Sequence, residues 1–179
     1  MVYILLGSGF EEMEAIAPLD LLRRADIPVQ TVGIGSRTVY GSHNIGITAD
    51  IAVEEMDLTA MEMLVLPGGL GGVASIQGSS LAMDAIRFAQ ENDLFIGAIC
   101  AAPTILAGLS ITDGKKAVCY PSCAEKMGAA IMESGPCARD GKIITGTSAG
   151  CAVPFGLMLI EALRGADTAK AIERQIVIR

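Results

Sequence analysis

Of the five cysteines, Cys100 occupies the position with the most chemistry in it. LFIGAI (94–99) reads as a short buried strand and PTILAGL (103–109) as the opening of a helix, so Cys100 stands at the elbow between them. A sharp strand-to-helix turn presents a nucleophile above the edge of a sheet. The helix N-terminus beyond it favours thiolate. This predicts a thiol pKa below the ordinary value of about 8.5, at which only about 3% of a thiol is ionised at pH 7. The competing reading is an inert buried cysteine, and it is the reading given to Cys119, Cys123, Cys137 and Cys151. Cys119 and Cys123 have a C-x3-C spacing, but a structural zinc site needs more ligands, and the single histidine, His43, is far away in sequence. No metal is expected.

A reactive thiol ordinarily works with an acid or base beside it. His43 falls in a GSHN turn between two short strands and reads as a surface residue. Glu11, Glu12 and Glu14 open the helix after the first strand, where acids usually compensate the helix dipole from solvent. Glu14 differs from the others, being flanked by Met13, Ala15 and Ile16. Partial burial would raise its pKa and keep it protonated.

Two glycine clusters raise the question of nucleotides. A dinucleotide fingerprint starting at Gly7 and Gly9 would need a third glycine where Glu12 stands, and neighbouring acids would repel a pyrophosphate. The run Pro67–Gly72 lacks the Lys-Ser/Thr of a phosphate loop. No cofactor is expected. The run serves either as a tight turn or as a set of backbone N–H donors for an oxyanion.

These residues need a scaffold. The pattern predicts strands at 2–6, 28–33, 61–66, 94–99, 116–119 and 142–145, with a two-strand hairpin within 38–50. Helices are predicted at 11–25, bent at Pro18, and at 80–92, 103–109, 122–127, 152–163 and 166–174. In the 80–92 helix, Leu81, Ala85, Phe88 and Ala89 mark the apolar face. Strands alternating with helices imply one α/β domain over residues 1–179, with a mostly parallel sheet covered on both faces. Ligands then bind at the C-terminal strand edge, where Gly7–Glu14, Gly68–Gly72 and Cys100–Pro103 all lie.

Composition narrows the partners. The net charge of −7, with 4% aromatic residues and no Trp, excludes the basic surface and stacking platforms of a nucleic-acid binder. The uncharged stretches 94–112 and 143–160 reach membrane-spanning length, but Gly, Pro, Ser and Thr break them into strand, turn and helix. The first residues lack a basic signal-peptide region, and the cysteine count is odd with no CxxC, so a reducing, cytoplasmic location is the expectation.

GFEEMEAIAPLDLLRRADIPV, LVLPGGLGG, FIGAICAAPTILA and ITGTSAG, in that order, resemble the ThiJ/PfpI superfamily, in the branch of the parkinsonism-associated protein deglycase and its bacterial relatives. The resemblance spans essentially the whole chain. It implies a flavodoxin-like three-layer sandwich that dimerises. It places the family's reactive cysteine on Cys100, its buried carboxylic acid on Glu14 and its oxyanion donors on Gly69 and Ala101. Gly68 and Tyr120 become possible substrate contacts, with His43 and Arg24 reaching a pocket across the dimer. The sequence also departs from the family. Tyr120 stands where many relatives carry a histidine near the cysteine, Ala101 where the protease-like branch has one, and no late histidine exists for amidotransfer. Proteolysis and amidotransfer are therefore not expected. The implied activity is cofactor-independent action on 2-oxoaldehydes, of glyoxalase or deglycase type. The alternatives are a redox-sensing or stress-response protein whose Cys100 oxidises to sulfinate, with chaperone-like activity, and a structural dimer with a vestigial site.

Overall fold

A computed structural model describes residues 1–178. Its centre is a seven-stranded sheet in the order β10-β11-β7-β6-β1-β2-β5. These strands are β1 (Val2–Leu6), β2 (Val29–Gly33), β5 (Ile51–Ala52), β6 (Met63–Leu66), β7 (Phe95–Ile99), β10 (Cys137–Asp140) and β11 (Ile143–Gly146). Every neighbouring pair is parallel except β10 with β11. β1, β6 and β11 are buried at every position, as near-continuous apolar strands must be when helices cover both faces. Two small ribbons flank the sheet: β3 (Thr38–Tyr40) with β4 (Gly46–Thr48), and β8 (Lys116–Ala117) with β9 (Ile131–Met132).

Helices α1 (Glu12–Arg24), α5 (Ala152–Arg164) and α6 (Ala166–Gln175) pack on one face, closing a core that includes Ile4, Leu6, Met63, Ile144 and Phe155. Helices α2 (Leu70–Gly78), α3 (Ser80–Glu91) and α4 (Pro103–Gly108) cover the other, over Leu5, Leu64, Leu66, Ile96 and Leu106. The three layers are those expected. α1 carries acids in its first turn and Arg23 and Arg24 in its last, complementing its dipole, and it runs through Pro18 without a break. No helix among the described residues is long and apolar enough to cross a membrane. The two long uncharged stretches are instead strand–turn–helix units, β7 into α4 and β11 into α5.

Several elements differ from expectation, each for a physical reason. The glycine run is a loop only as far as Gly69, because Leu70 already starts α2. The Asp140-Gly141 turn joins a hairpin whose first strand, β10, the sequence reading lacked. β8 is two residues long and lies outside the main sheet. The segment after Tyr120 is a 3-10 helix, Pro121–Lys126. Leu81 is 43% exposed, and α3 buries Ala82, Ala85, Ile86 and Ala89, one position round from the stripe read in the sequence.

Candidate active site

The parallel strands deliver their C-terminal ends to one edge. Gly7 follows β1, Pro67 to Gly69 follow β6, Cys100 follows β7, and β11 ends at Gly146. Chain connections leave β1 in opposite directions here, which is where an open α/β sheet opens a crevice.

Cys100 takes a left-handed backbone conformation with φ of 66°. A side chain in that region costs about 1–3 kcal/mol, so its surroundings must hold it there. They do so from both sides. The Cys100 N–H donates to the Gly146 carbonyl at 2.9 Å, and the Tyr120 N–H donates to the Cys100 carbonyl at 2.8 Å. The residue remains half-buried.

Glu14 comes to it from the first turn of α1. Glu11 caps that helix, its carboxylate accepting from the Glu14 N–H at 2.9 Å. The Glu11 N–H in turn donates to the Gly68 carbonyl at 3.0 Å, which ties the helix start to the glycine loop. The Glu14 side chain is completely buried. Its Oε2 accepts from the Gly68 N–H at 2.8 Å, and among the described residues its Oε1 has no hydrogen-bond partner. Gly68 sits between acid and thiol. A Cβ at this position would fall 2.6 Å from Glu14 Oε2 and 2.7 Å from Cys100 Cβ, so only glycine fits. The other glycines form a second close crossing: a Cβ at Gly72 would lie 2.7 Å from Phe10 Cα, and one at Gly9 2.9 Å from Gly71 Cα. Backbone approach, rather than phosphate binding, accounts for both glycine clusters.

Burial pushes the Glu14 carboxyl up to about 7, with the Cys100 thiol and the Gly68 N–H restraining the rise. The thiol does not show the depression expected from its place at a helix start. Burial, then the charge and hydrogen bond of Glu14, push it up to about 12, against the Gly69 and Ala101 N–H groups that lower it. α4 has six residues and offers little dipole to compensate. The two acids form a coupled pair, so these values belong to the pair. The first proton leaves near pH 7 and the second near pH 12, because two negative charges in one buried site repel. While Glu14 holds its proton, both of its raising influences on the thiol disappear. Burial, the largest cause, still raises the thiol in that state, so the charge of the singly ionised pair rests on Glu14, beside a sulfur that faces the Gly69 and Ala101 N–H groups.

The sequence-named residues divide at this point. Cys100, Glu14, Gly68, Gly69 and Ala101 come together. Tyr120 reaches the cysteine through its backbone, while its side chain is 45% exposed. Arg24 pairs with Asp20 at 2.7 Å and lies ten residues along α1 from Glu14, about 15 Å at the helical rise. His43 grips Glu12, its Nδ1 2.8 Å from Oε2 and its backbone N–H 2.7 Å from Oε1. Glu12 is 6% exposed rather than solvated, and sequence reasoning missed this cradle. The available signal was Gly41, where a Cβ would run into the Glu12 side chain.

Among the described residues, Glu11, Glu12 and His43 form the one group of three metal-ligating side chains with ligand atoms within 4.8 Å. The hydrogen bonds to Glu12 account for this arrangement, and Cys119 and Cys123 acquire no third ligand.

The model of the DJ-1/PfpI family matches residues 1–162. The chain belongs to that family. It is 33% identical to Protein dj-1beta of Drosophila melanogaster, with 98% of this chain and 95% of the fly protein covered. A DJ-1 superfamily protein from Salmonella typhimurium, solved as a cysteine-to-alanine mutant, superposes with a TM-score of 0.93 at 30% identity over 99% of this chain and 98% of that one. The glutathione-independent glyoxalase DJR-1.2 of Caenorhabditis elegans is 24% identical, covering 94% of this chain and 90% of the worm protein. The DJ-1/PfpI assignment agrees with the resemblance carried by the sequence motifs, and the neighbouring structure shares the three-layer fold.

Proposed function

We propose that this protein is a cofactor-independent cysteine enzyme acting on 2-oxoaldehydes such as methylglyoxal, or on their early adducts with proteins. One observation carries the reading: a completely buried carboxyl group, raised to about 7, is held against a half-buried cysteine with only a glycine between them. The worm relative's name, glutathione-independent glyoxalase, supports it.

The Cys100 sulfur adds to the aldehyde carbon and forms a hemithioacetal. Gly69 and Ala101 N–H groups, which face the sulfur, hold the oxyanion that develops beside it. Glu14, as the carboxylate, takes the thiol proton while the sulfur adds and hands it to the oxygen of the neighbouring carbonyl; it then takes the proton from the former aldehyde carbon and returns it to the adjacent carbonyl carbon. The first carbon is oxidised to a thioester and the second reduced to an alcohol, so no external electron acceptor is needed. Water then releases a 2-hydroxy acid and regenerates the thiol. Gly68 and Tyr120 border the substrate.

The enzyme acts as a homodimer in this reading. Met13, 57% exposed, and its neighbours Ile16 and Ala17 leave an apolar strip on α1 for a second copy. His43 and Arg24 then contact substrate from the partner copy, and a monomer in light scattering removes that role. The reaction takes place in the cytoplasm.

The test is methylglyoxal consumption with lactate followed by NMR. Cys100→Ala abolishes turnover, and undiminished consumption by Cys100→Ser overturns the mechanism. A second reading follows from the same sulfur. Peroxide oxidises the thiolate to sulfenate and then sulfinate. Protonated Glu14 would donate to the sulfinate through its free Oε1. A two-oxygen adduct on Cys100 before the other four thiols react supports that redox role, with or without chaperone-like activity. Its absence removes it.

A further inference from the structure

A cavity lies at the opposite edge of the sheet from Cys100. It has a volume of about 660 Å³ and opens where β7 and β11 begin, between the turns that follow α3 and α4. That volume suits a small ligand. Nothing in the chemistry of the cysteine site uses it.

Its charge is unusual for this molecule. The chain carries a net charge of −7, yet Lys115, Arg139 and Lys142 all line this one cavity. Arg23, Arg24, Arg37, Arg87, Lys116 and Arg164 each pair with a carboxylate. Among the described residues the three cavity cations have no such partner. Lys115 and Lys142 are half-buried, whereas the two acids of the lining, Asp93 and Asp113, are exposed. Two of the three cations therefore sit deeper than the acids, while Arg139 is exposed.

The cations also converge. Lys142 Nζ lies 4.0 Å from the centroid of the Phe95 ring, and Arg139 Cζ lies 5.5 Å from it. Both are attracted by the ring, and as like charges they repel one another. The Arg139 Nε donates to the Gly141 carbonyl at 3.2 Å, which fixes the guanidinium and leaves its two terminal nitrogens without a protein acceptor among the described residues. A guanidinium held by one nitrogen with its fork free is prepared for a bidentate oxyanion. Two ammonium groups beside it supply charge for a second negative oxygen, and Phe95 offers an apolar wall.

We propose that this cavity binds a compact dianion, a phosphate monoester or a dicarboxylate, on Arg139, Lys142 and Lys115. Asp93 and Asp113 at the rim disfavour extended polyanions by repulsion. The site is independent of the reading given to Cys100, from which β7 separates it by about 16 Å at the rise of an extended strand.

The experiment titrates the intact protein at low salt with inorganic phosphate and, separately, with succinate. Heat and amide NMR shifts are the readouts. The wild type saturates with a Kd of about 1 mM or tighter, and shifts concentrate at 94–96 and 141–143. Arg139→Gln with Lys142→Gln weakens binding at least about tenfold, one lost charge-assisted contact or more. Lys115→Gln weakens it less. Cys100→Ser binds as the wild type does, so failure of the proposed enzyme activity leaves this result intact. Lys170→Gln with Arg174→Gln, away from the cavity, leaves binding unchanged. Saturation by phosphate alone assigns the phosphate monoester, and by succinate alone the dicarboxylate. Titration with neither ligand saturating, equal binding by the Arg139 and Lys142 variant, or shifts confined to the Cys100 pocket overturns the proposal.

Discussion

Glu12 and Glu14 stand two residues apart on the first turn of α1. Both are buried, and they behave as opposite acids. Burial pushes each upward. Around Glu12, that push is overcome by hydrogen bonds from the His43 side chain and backbone and from the Ile45 N–H, and the carboxyl settles at about 2. Glu14 has one backbone donor, the Gly68 N–H, and the Cys100 thiol, too little to offset burial, so it rises to about 7. The difference lies in the number of donors aimed at each carboxylate and in depth, Glu14 being completely buried and Glu12 nearer the surface. Glu12 is a fixed charge that rivets the β3–β4 hairpin to the start of α1. Glu14 is the proton carrier of the proposed reaction.

The sharpest way to break this contrast is Glu14→Gln. Proton transfer between substrate carbons is lost, and 2-oxoaldehyde turnover falls by about 10²–10⁴. Cysteine alkylation by iodoacetamide against pH separates this from misfolding. The wild type rises near 12, where the thiol ionises beside the Glu14 carboxylate. The variant rises in one step below about 12, because the neighbouring charge is gone.

Gly68→Ala comes next. Its methyl group would stand 2.6 Å from Glu14 Oε2 and 2.7 Å from Cys100 Cβ, so acid and thiol must part. Overpacking of this kind costs about 1–3 kcal/mol, read as a lower Tm. Activity drops by about 10²-fold, the scale expected when reacting groups shift by an ångström.

Glu12→Gln should leave turnover nearly intact and act on stability. It removes charge-assisted hydrogen bonds worth about 1–3 kcal/mol, or about 2–4 °C of Tm per kcal/mol. The two glutamates also tilt stability oppositely with pH. Glu12, lowered to about 2, stabilises above the unfolded value of 4.5, and that stability is lost as pH falls toward 2. Glu14, raised to about 7, favours the folded state at low pH, and that contribution is lost as pH climbs from 4.5 to 7. Thermal melts across pH show the first slope vanish in Glu12→Gln and the second in Glu14→Gln.

The smallest effect belongs to His43→Ala. His43 is exposed, its pKa raised first by the hydrogen bond to Glu12 and then by that residue's charge. Its contribution is complete below the unfolded value of 6.5 and is lost as pH rises through the higher folded value. The decrease in Tm is therefore present at acid pH, absent at alkaline pH, and smaller than that of Glu12→Gln.

Much of the fold could be read from the chain because the apolar runs of β1, β6, β7 and β11 are local signals. β10 could not, since CARD has no alternating pattern and becomes a strand only by pairing with β11. Cys100 was visible from its elbow, and Glu14 from its apolar neighbours together with the family motif. The thiol's electrostatics were not. A helix start in sequence suggests a lowered pKa, but α4 is short and Glu14 lies alongside.

The sequence by itself determined a parallel α/β sandwich, a cysteine on a strand-to-helix elbow at the edge of its sheet and the family to which the chain belongs. These depend on residue type and spacing along the chain. Only the tertiary structure decided which glutamate is held ionised and which keeps its proton up to about 7, and that Arg139 and Lys142 meet at the Phe95 ring in a cavity that Lys115 also lines. Each of these outcomes depends on groups distant in sequence meeting in a poorly solvated space, where the count of donors and charges sets the balance.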